Sequence, residues 1–135
     1  MAHEELKKNL FTTDSLKKSY ITGETEIHAL RGISTEIPRG ECVVMLGPSG
    51  SGKSTFLNII GGLDQPTSGK VFFKGKDLAH FNNRELTYYR REHVGFVFQS
   101  YNLVPSLTAI ENVALVTEIS PDPMDPFEAL EIVGL

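Results

Sequence analysis

The chain has 135 residues, 13 of them basic and 17 acidic, for a formal charge of −4. That balance argues against a nucleic-acid partner, since such binders carry a basic excess. The 40% apolar and 22% charged content excludes a disordered or fibrous chain and fits one globular domain, able to bury roughly two-thirds of its unfolded surface.

Residues 1–8 are charged and are expected to be disordered. Met1 to Glu5 lack the basic region and apolar core of a secretory signal. Leu10 to Ser19 reads as a weak strand ending at Tyr20, and the polar stretch Ile21 to Glu26 as a turn. His28 to Ile37 alternates in side-chain character and suits a half-exposed antiparallel strand, closed by the turn Pro38-Arg39-Gly40. The apolar run Cys42-Val43-Val44-Met45-Leu46 reads as a buried strand. Cys42 is then expected to be a small core residue rather than a nucleophile. As the single cysteine, it leaves no internal disulfide and fits a reducing cytoplasm.

A helix is predicted from about Gly52 to Gly61, where Gly61-Gly62 stops it. A turn over 64–69 feeds a short strand, Lys70 to Phe73. Asn82 or Asn83 can cap a helix through about Arg91, with Glu85, Arg90 and Arg91 on a solvated face. Val94 to Phe98 reads as a second apolar strand that ends at Gln99. Leu103, Val104 and Leu107 then fall in a loop, where apolar groups are less expected unless they fold back on their own core. Thr108-Ala109-Ile110-Glu111 has the spacing of a capping box, so a helix starts there. Pro121, Pro123 and Pro126 make Ser120 to Asp125 a linker, and Phe127 to Val133 a short amphipathic helix. No run approaches the ~18 apolar residues of a membrane span. His3, His28, His80 and His93 have no partners at metal-ligand spacing.

The chemistry concentrates in Gly47-Pro48-Ser49-Gly50-Ser51-Gly52-Lys53-Ser54-Thr55. Residues 47–54 fit the phosphate-loop pattern G-x-x-x-x-G-K-[ST], placed between an apolar run and a predicted helix as that pattern requires. A polyphosphate held by main-chain N–H groups needs the backbone close around its oxygens. A side chain at Gly50 or Gly52 would obstruct that approach, and glycine also supplies the dihedrals of the wrap. The helix start aims free N–H groups and a positive dipole end at the same anion. Lys53 can reach the terminal phosphates, and the Ser54 hydroxyl can bind a bridging Mg²⁺. These residues predict nucleotide binding.

Together with that loop, Leu30-Arg31-Gly32-Ile33, Gly61 to Gly69, Val94 to Gln99 and Leu107 to Val113 resemble the N-terminal half of an ATP-binding-cassette (ABC) ATPase subunit. The likeness extends from about Asn9 to Leu135 and is strongest to the branch serving lipoprotein-release and macrolide-efflux transporters. It implies an α/β P-loop NTPase fold of the ABC ATPase type, partial, with an N-terminal antiparallel β-subdomain and a truncated RecA-like core. Residues 9–135 would form the N-terminal part of the ATPase domain, with the phosphate loop at 47–55, a glutamine loop around 99 and the start of a helical subdomain over 107–135. The resemblance makes Tyr20 the aromatic that stacks on adenine, and residues 47–55 the cradle for ATP. Ser54 becomes a Mg²⁺ ligand, and Gln99 the residue that completes the Mg²⁺ and attacking-water shell. A neutral amide at the exit of an apolar strand suits that work, because it orients water or metal without adding charge. Lys53 and Gln99 are thus the candidate catalytic residues. The implied partners are a transmembrane permease subunit and a second ATPase subunit, with the protein peripheral on the cytoplasmic face of the membrane.

The 135 residues contain no apolar run ending in Asp-Glu, no Leu-Ser-Gly-Gly-Gln-type signature and no switch histidine. The expectation is an ATPase of the ABC type in the complete subunit and nucleotide binding without turnover by these residues alone. A GTPase would want an Asn-Lys-x-Asp base reader, and a small kinase a basic lid; neither is found. An apolar phosphate-loop strand without later parallel neighbours is expected to leave a bare sheet edge and marginal stability.

Overall fold

A computed structural model describes residues 8–135. Apart from Lys8, which is exposed, the expectation of a frayed start falls on residues that lie outside that range. The chain divides into two compact units, one ending at Thr87 and the other spanning Tyr88–Leu135.

The first unit is built on the hairpin of β1 (Asn9–Thr22) and β2 (Thr25–Pro38). Both strands run longer than the expected Leu10–Ser19 and His28–Ile37. Ile21 pairs with Glu26 and Thr22 with Thr25, so the predicted six-residue turn shrinks to Gly23-Glu24. The β-branched residues Ile21, Thr22, Thr25 and Ile27 favour extended backbone there and outweigh the polarity of the stretch. β3 (Ser68–Phe73) pairs antiparallel with the other edge of β1, and β4 (Lys76–Asp77) follows in the order β2-β1-β3-β4.

Helix α1 (Lys53–Ile60) buries Phe56 and Ile59, a spacing of three that places both on one face, and it contacts β2. With Leu16, Leu30, Val71 and Phe73 from the sheet, these residues belong to the buried core. A short 3₁₀ turn (Leu78–His80) is capped by Asp77, whose side chain accepts from the Ala79 amide at 3.0 Å. α2 (Asn83–His93) begins at Asn82, which exchanges hydrogen bonds with Glu85 in both directions.

In the second unit, α3 (Ala109–Thr117) and α4 (Pro126–Ile132) contact each other, and neither buries a residue. The capping box predicted at Thr108 is present: its side chain accepts from the Glu111 amide, and the Glu111 carboxylate accepts from the Thr108 amide at 2.7 Å.

Two expected strands do not form. Cys42–Leu46 enters no ladder among the described residues. Val43, Val44 and Leu46 are 55%, 73% and 88% exposed, and Cys42 is exposed rather than a core residue. Val94–Phe98 likewise pairs with nothing described, and Val97 and Phe98 are exposed. A strand exists only where a neighbour answers its N–H and C=O groups. The four strands of the sheet pair among themselves and supply none to either run.

Candidate functional site

The candidate site forms where the chain leaves the Cys42–Leu46 run and turns into α1. Gly52 is the N-cap of that helix, in a left-handed conformation (φ +96), and no side chain caps the helix start. The first-turn N–H groups therefore have no side-chain acceptor, which is the condition for receiving an anion. Within the loop the Ser51 amide donates to the Pro48 carbonyl at 3.2 Å.

Gly50 and Gly52 are glycines for different reasons. A Cβ at Gly50 (φ +78) would meet nothing within 4 Å, so space is left beside the loop. A Cβ at Gly52 would stand 2.5 Å from the Ala29 carbonyl oxygen and 2.8 Å from Leu30 Cδ2. The expectation that a side chain at Gly52 obstructs phosphate is thus supplemented by a second cause, the close approach of the loop to β2.

Lys53 folds back over the loop. Its Nζ donates to the carbonyls of Gly47 (2.6 Å) and Pro48 (2.7 Å) and to Ser51 Oγ at 3.3 Å. An ammonium has three donors, so any new oxygen taken by Lys53 must replace one of these contacts. Ser54, next on the helix, is exposed, and Thr55 is half-buried. The open space at Gly50, the uncapped helix start and an ammonium held over the loop fit a bound phosphate chain with its Mg²⁺.

Tyr20 lies on β1, and its hydroxyl donates to Asp64 Oδ2 at 2.8 Å. Lys18 Nζ sits 5.0 Å from the Tyr20 ring centroid, and the residue is 38% exposed. Lys18 also donates to Asp64 Oδ1 and to the Gln65 carbonyl, both at 2.7 Å. This cluster ties β1 to the connection between α1 and β3. Burial pushes the Asp64 carboxyl up, but hydrogen bonds from Lys18, Tyr20 and the Gln65 amide together hold it below the ordinary carboxylate value. Sequence reasoning singled out Tyr20 and passed over Lys18 and Asp64. They lie 46 positions apart, and no local pattern marks the pair.

Gln99 belongs to the second unit and is exposed, in a bend after the apolar run. The loop beyond it is held by one residue that sequence reasoning did not single out. The Asn112 amide group donates to the carbonyls of Val104, Leu107 and Thr108 at 3.2, 3.2 and 2.9 Å, while its Oδ1 accepts from the Val104 amide at 2.8 Å. Leu103 is 63% exposed, so it does not fold back on a core, whereas Leu107 is half-buried. Among the described residues no cluster of three metal-ligating side chains occurs, and no helix is long and apolar enough to cross a membrane.

The sequence profile of the ABC transporter family matches residues 30–134. An uncharacterized ABC transporter ATP-binding protein of Thermotoga maritima is 49% identical over 123 residues, covering 87% of this chain and 53% of the relative. The macrolide export ATP-binding/permease protein MacB of Bdellovibrio bacteriovorus is 45% identical over 107 residues, 79% of this chain and 16% of that protein. Among solved structures, an ATP-binding cassette of Methanocaldococcus jannaschii, dimeric in a post-hydrolysis state with ADP and Pi, superposes with a TM-score of 0.83. It is 41% identical, over 93% of this chain and 57% of that one. The chain therefore spans about half the length of the first of these relatives and of the solved cassette.

Proposed function

The chain belongs to the ABC transporter family and carries part of its ATP-binding component, and from that premise we propose that residues 47–55 hold MgATP for a cassette that drives a membrane transporter. The observation that carries this reading is the uncapped start of α1 beside a glycine loop with Lys53 drawn over it. Backbone N–H groups of the loop and first helical turn bind the phosphate oxygens. Lys53 exchanges a carbonyl contact for a charged hydrogen bond of about 1.5–3 kcal/mol. The Ser54 hydroxyl would hold Mg²⁺, which would supply charge neutralisation for the phosphates. Tyr20 offers an aromatic face to the adenine. Stacking tolerates any base, so affinity resides in the loop and Tyr20 does not by itself select ATP over GTP.

In the assembled transporter, Gln99 would help hold the metal and position the attacking water, and a second cassette and a transmembrane permease would complete the machine on the cytoplasmic face. The dimeric solved cassette supports the second-subunit partner. The exposed loop held by Asn112 supports a docking role beside Gln99. One sequence observation favours a further point: these 135 residues include neither the acidic strand end nor the signature. By themselves they bind nucleotide without turning it over, because phosphoryl transfer to water depends on such positioned groups.

Titration calorimetry with MgATP tests the binding, with K53A as control. The expected loss of affinity is about 10- to 150-fold, the equivalent of 1.5–3 kcal/mol. No heat with millimolar MgATP on folded protein would sink the reading. Phosphate release by the wild-type 135-residue chain above the K53A level would remove the statement on turnover.

A further inference from the structure

Asp64 lies where the chain leaves α1. The Leu63 and Asp64 amides both donate to the Asn58 carbonyl, at 2.8 and 3.2 Å, so the connection is wound back onto the last turn of the helix. There the carboxylate is pinned: Oδ1 accepts from the Gln65 amide at 2.8 Å and from Lys18 Nζ at 2.7 Å. Oδ2 is left for the Tyr20 hydroxyl, at 2.8 Å. That last bond is not what keeps β1 on the connection. The Thr67 amide donates to the Lys17 carbonyl at 2.9 Å, the Ser19 amide to Thr67 Oγ1 at 2.9 Å, and Lys18 to the Gln65 carbonyl at 2.7 Å. What the Tyr20 hydroxyl bond adds is a fixed ring. β3 pairs with β1 no further than Lys17, and a side chain beyond its neighbouring strand otherwise has several rotamers open to it. The Lys18 ammonium, 5.0 Å from the ring centroid, is attracted to one face of the ring and leaves the opposite face to another ligand.

We propose that Asp64 is a positioning residue for nucleotide binding: it holds the Tyr20 ring by its hydroxyl while Lys18 covers one face, so that the base stacks on the other. This deepens the nucleotide reading and rests on it. Anchor and phosphate site belong to one element, since α1 starts at the glycine loop and ends in the turn that carries Asp64. One helix of eight residues therefore sets the base platform and the phosphate cradle relative to each other. A ring ordered before the ligand arrives spares the complex the entropy of ordering it, which is how a residue that never touches the nucleotide raises affinity.

The test is calorimetry on the whole chain with two ligands, MgATP and magnesium tripolyphosphate, which has no base. Y20F keeps a ring that can stack and removes the donor; D64A removes the acceptor. Each should weaken MgATP binding about 2- to 10-fold, with the double variant no weaker than either alone. All three should bind tripolyphosphate as the wild type does. Y20A, which has no ring, should lose about 5- to 150-fold for MgATP. Equal weakening of both ligands in D64A, or losses that add in the double variant, would overturn the proposal, because Asp64 would then act on the loop or the fold rather than through Tyr20. Wild-type MgATP affinity in Y20F and D64A beside a weak Y20A would also overturn it, and would leave stacking standing. Wild-type affinity in Y20A would bring down stacking and the proposal together while leaving the phosphate site intact. No MgATP binding by the wild type would end the nucleotide reading itself, and the proposal with it. If D64A fails to fold, the response of Y20F to the two ligands decides.

Discussion

Two helix starts in this protein are built in opposite ways. α3 opens on Thr108, whose side chain accepts from the Glu111 amide while Glu111 answers the Thr108 amide, so the end is closed by its own residues. α1 opens on Gly52, which has no side chain to offer, and Lys53 folds back onto the loop before it. A helix needs its first N–H groups satisfied. A terminus that satisfies them internally serves the fold, and one that leaves them open keeps them for a ligand. Under the proposed function, the first kind describes α3 and the second α1.

The largest effect that could break this contrast is expected at Gly52. G52A adds a Cβ into the Ala29 carbonyl at a left-handed φ, combining backbone strain and overpacking for roughly 2–5 kcal/mol of lost stability. G50A meets no atom and should cost only the strain, about 1–2 kcal/mol, while still weakening MgATP binding. Thermal melts and calorimetry on the two variants check this. Equal melting temperatures would show that Gly52 is there for the phosphate alone.

Next in size, T108A removes the side-chain cap of α3 and should destabilise that helix by about 1 kcal/mol. The change should appear as faster amide exchange across Ala109–Thr117, with MgATP affinity unchanged. A fall in affinity would erase the distinction between the two termini.

The smallest effect concerns the cluster that anchors Tyr20. Asp64 has its folded-state pKa below the unfolded value, so its contribution is present above about pH 3.9 and is lost as pH falls through the lower folded value. With Lys18 and Asp64 side chains 14% and 30% exposed, solvent screening keeps the contribution to about 1 kcal/mol or less. D64N should therefore melt slightly lower than wild type at pH 7, and the gap should close as acidification protonates the folded-state carboxyl. A gap that stays constant across that range would assign the difference to packing rather than to charge.

Much of the molecule was legible in its sequence because the relevant forces act over a few residues. The Thr108 capping box, the helix between Gly52 and Gly61, the β2 alternation and the proline-bounded linker each follow from contacts within one turn or one pleat. The hairpin turn was drawn too long, because β-branched residues near Gly23 were outweighed in the reading by their polar neighbours. The phosphate-loop pattern is legible for the same local reason, since the loop and its helix are contiguous in the chain.

What the residue order determined by itself is the local pattern behind the proposed ligand site: a glycine loop, one lysine and a helix start, all neighbours along the backbone. Tertiary structure decided three other matters, each of which depends on segments far apart in the chain. Gly52 is held to glycine by β2, some twenty residues earlier; Tyr20 is anchored through Asp64, 44 residues away; and Cys42–Leu46, apolar enough to be a strand, remains unpaired. Apolar composition makes a segment able to be a strand, but only a partner's amides and carbonyls make it one.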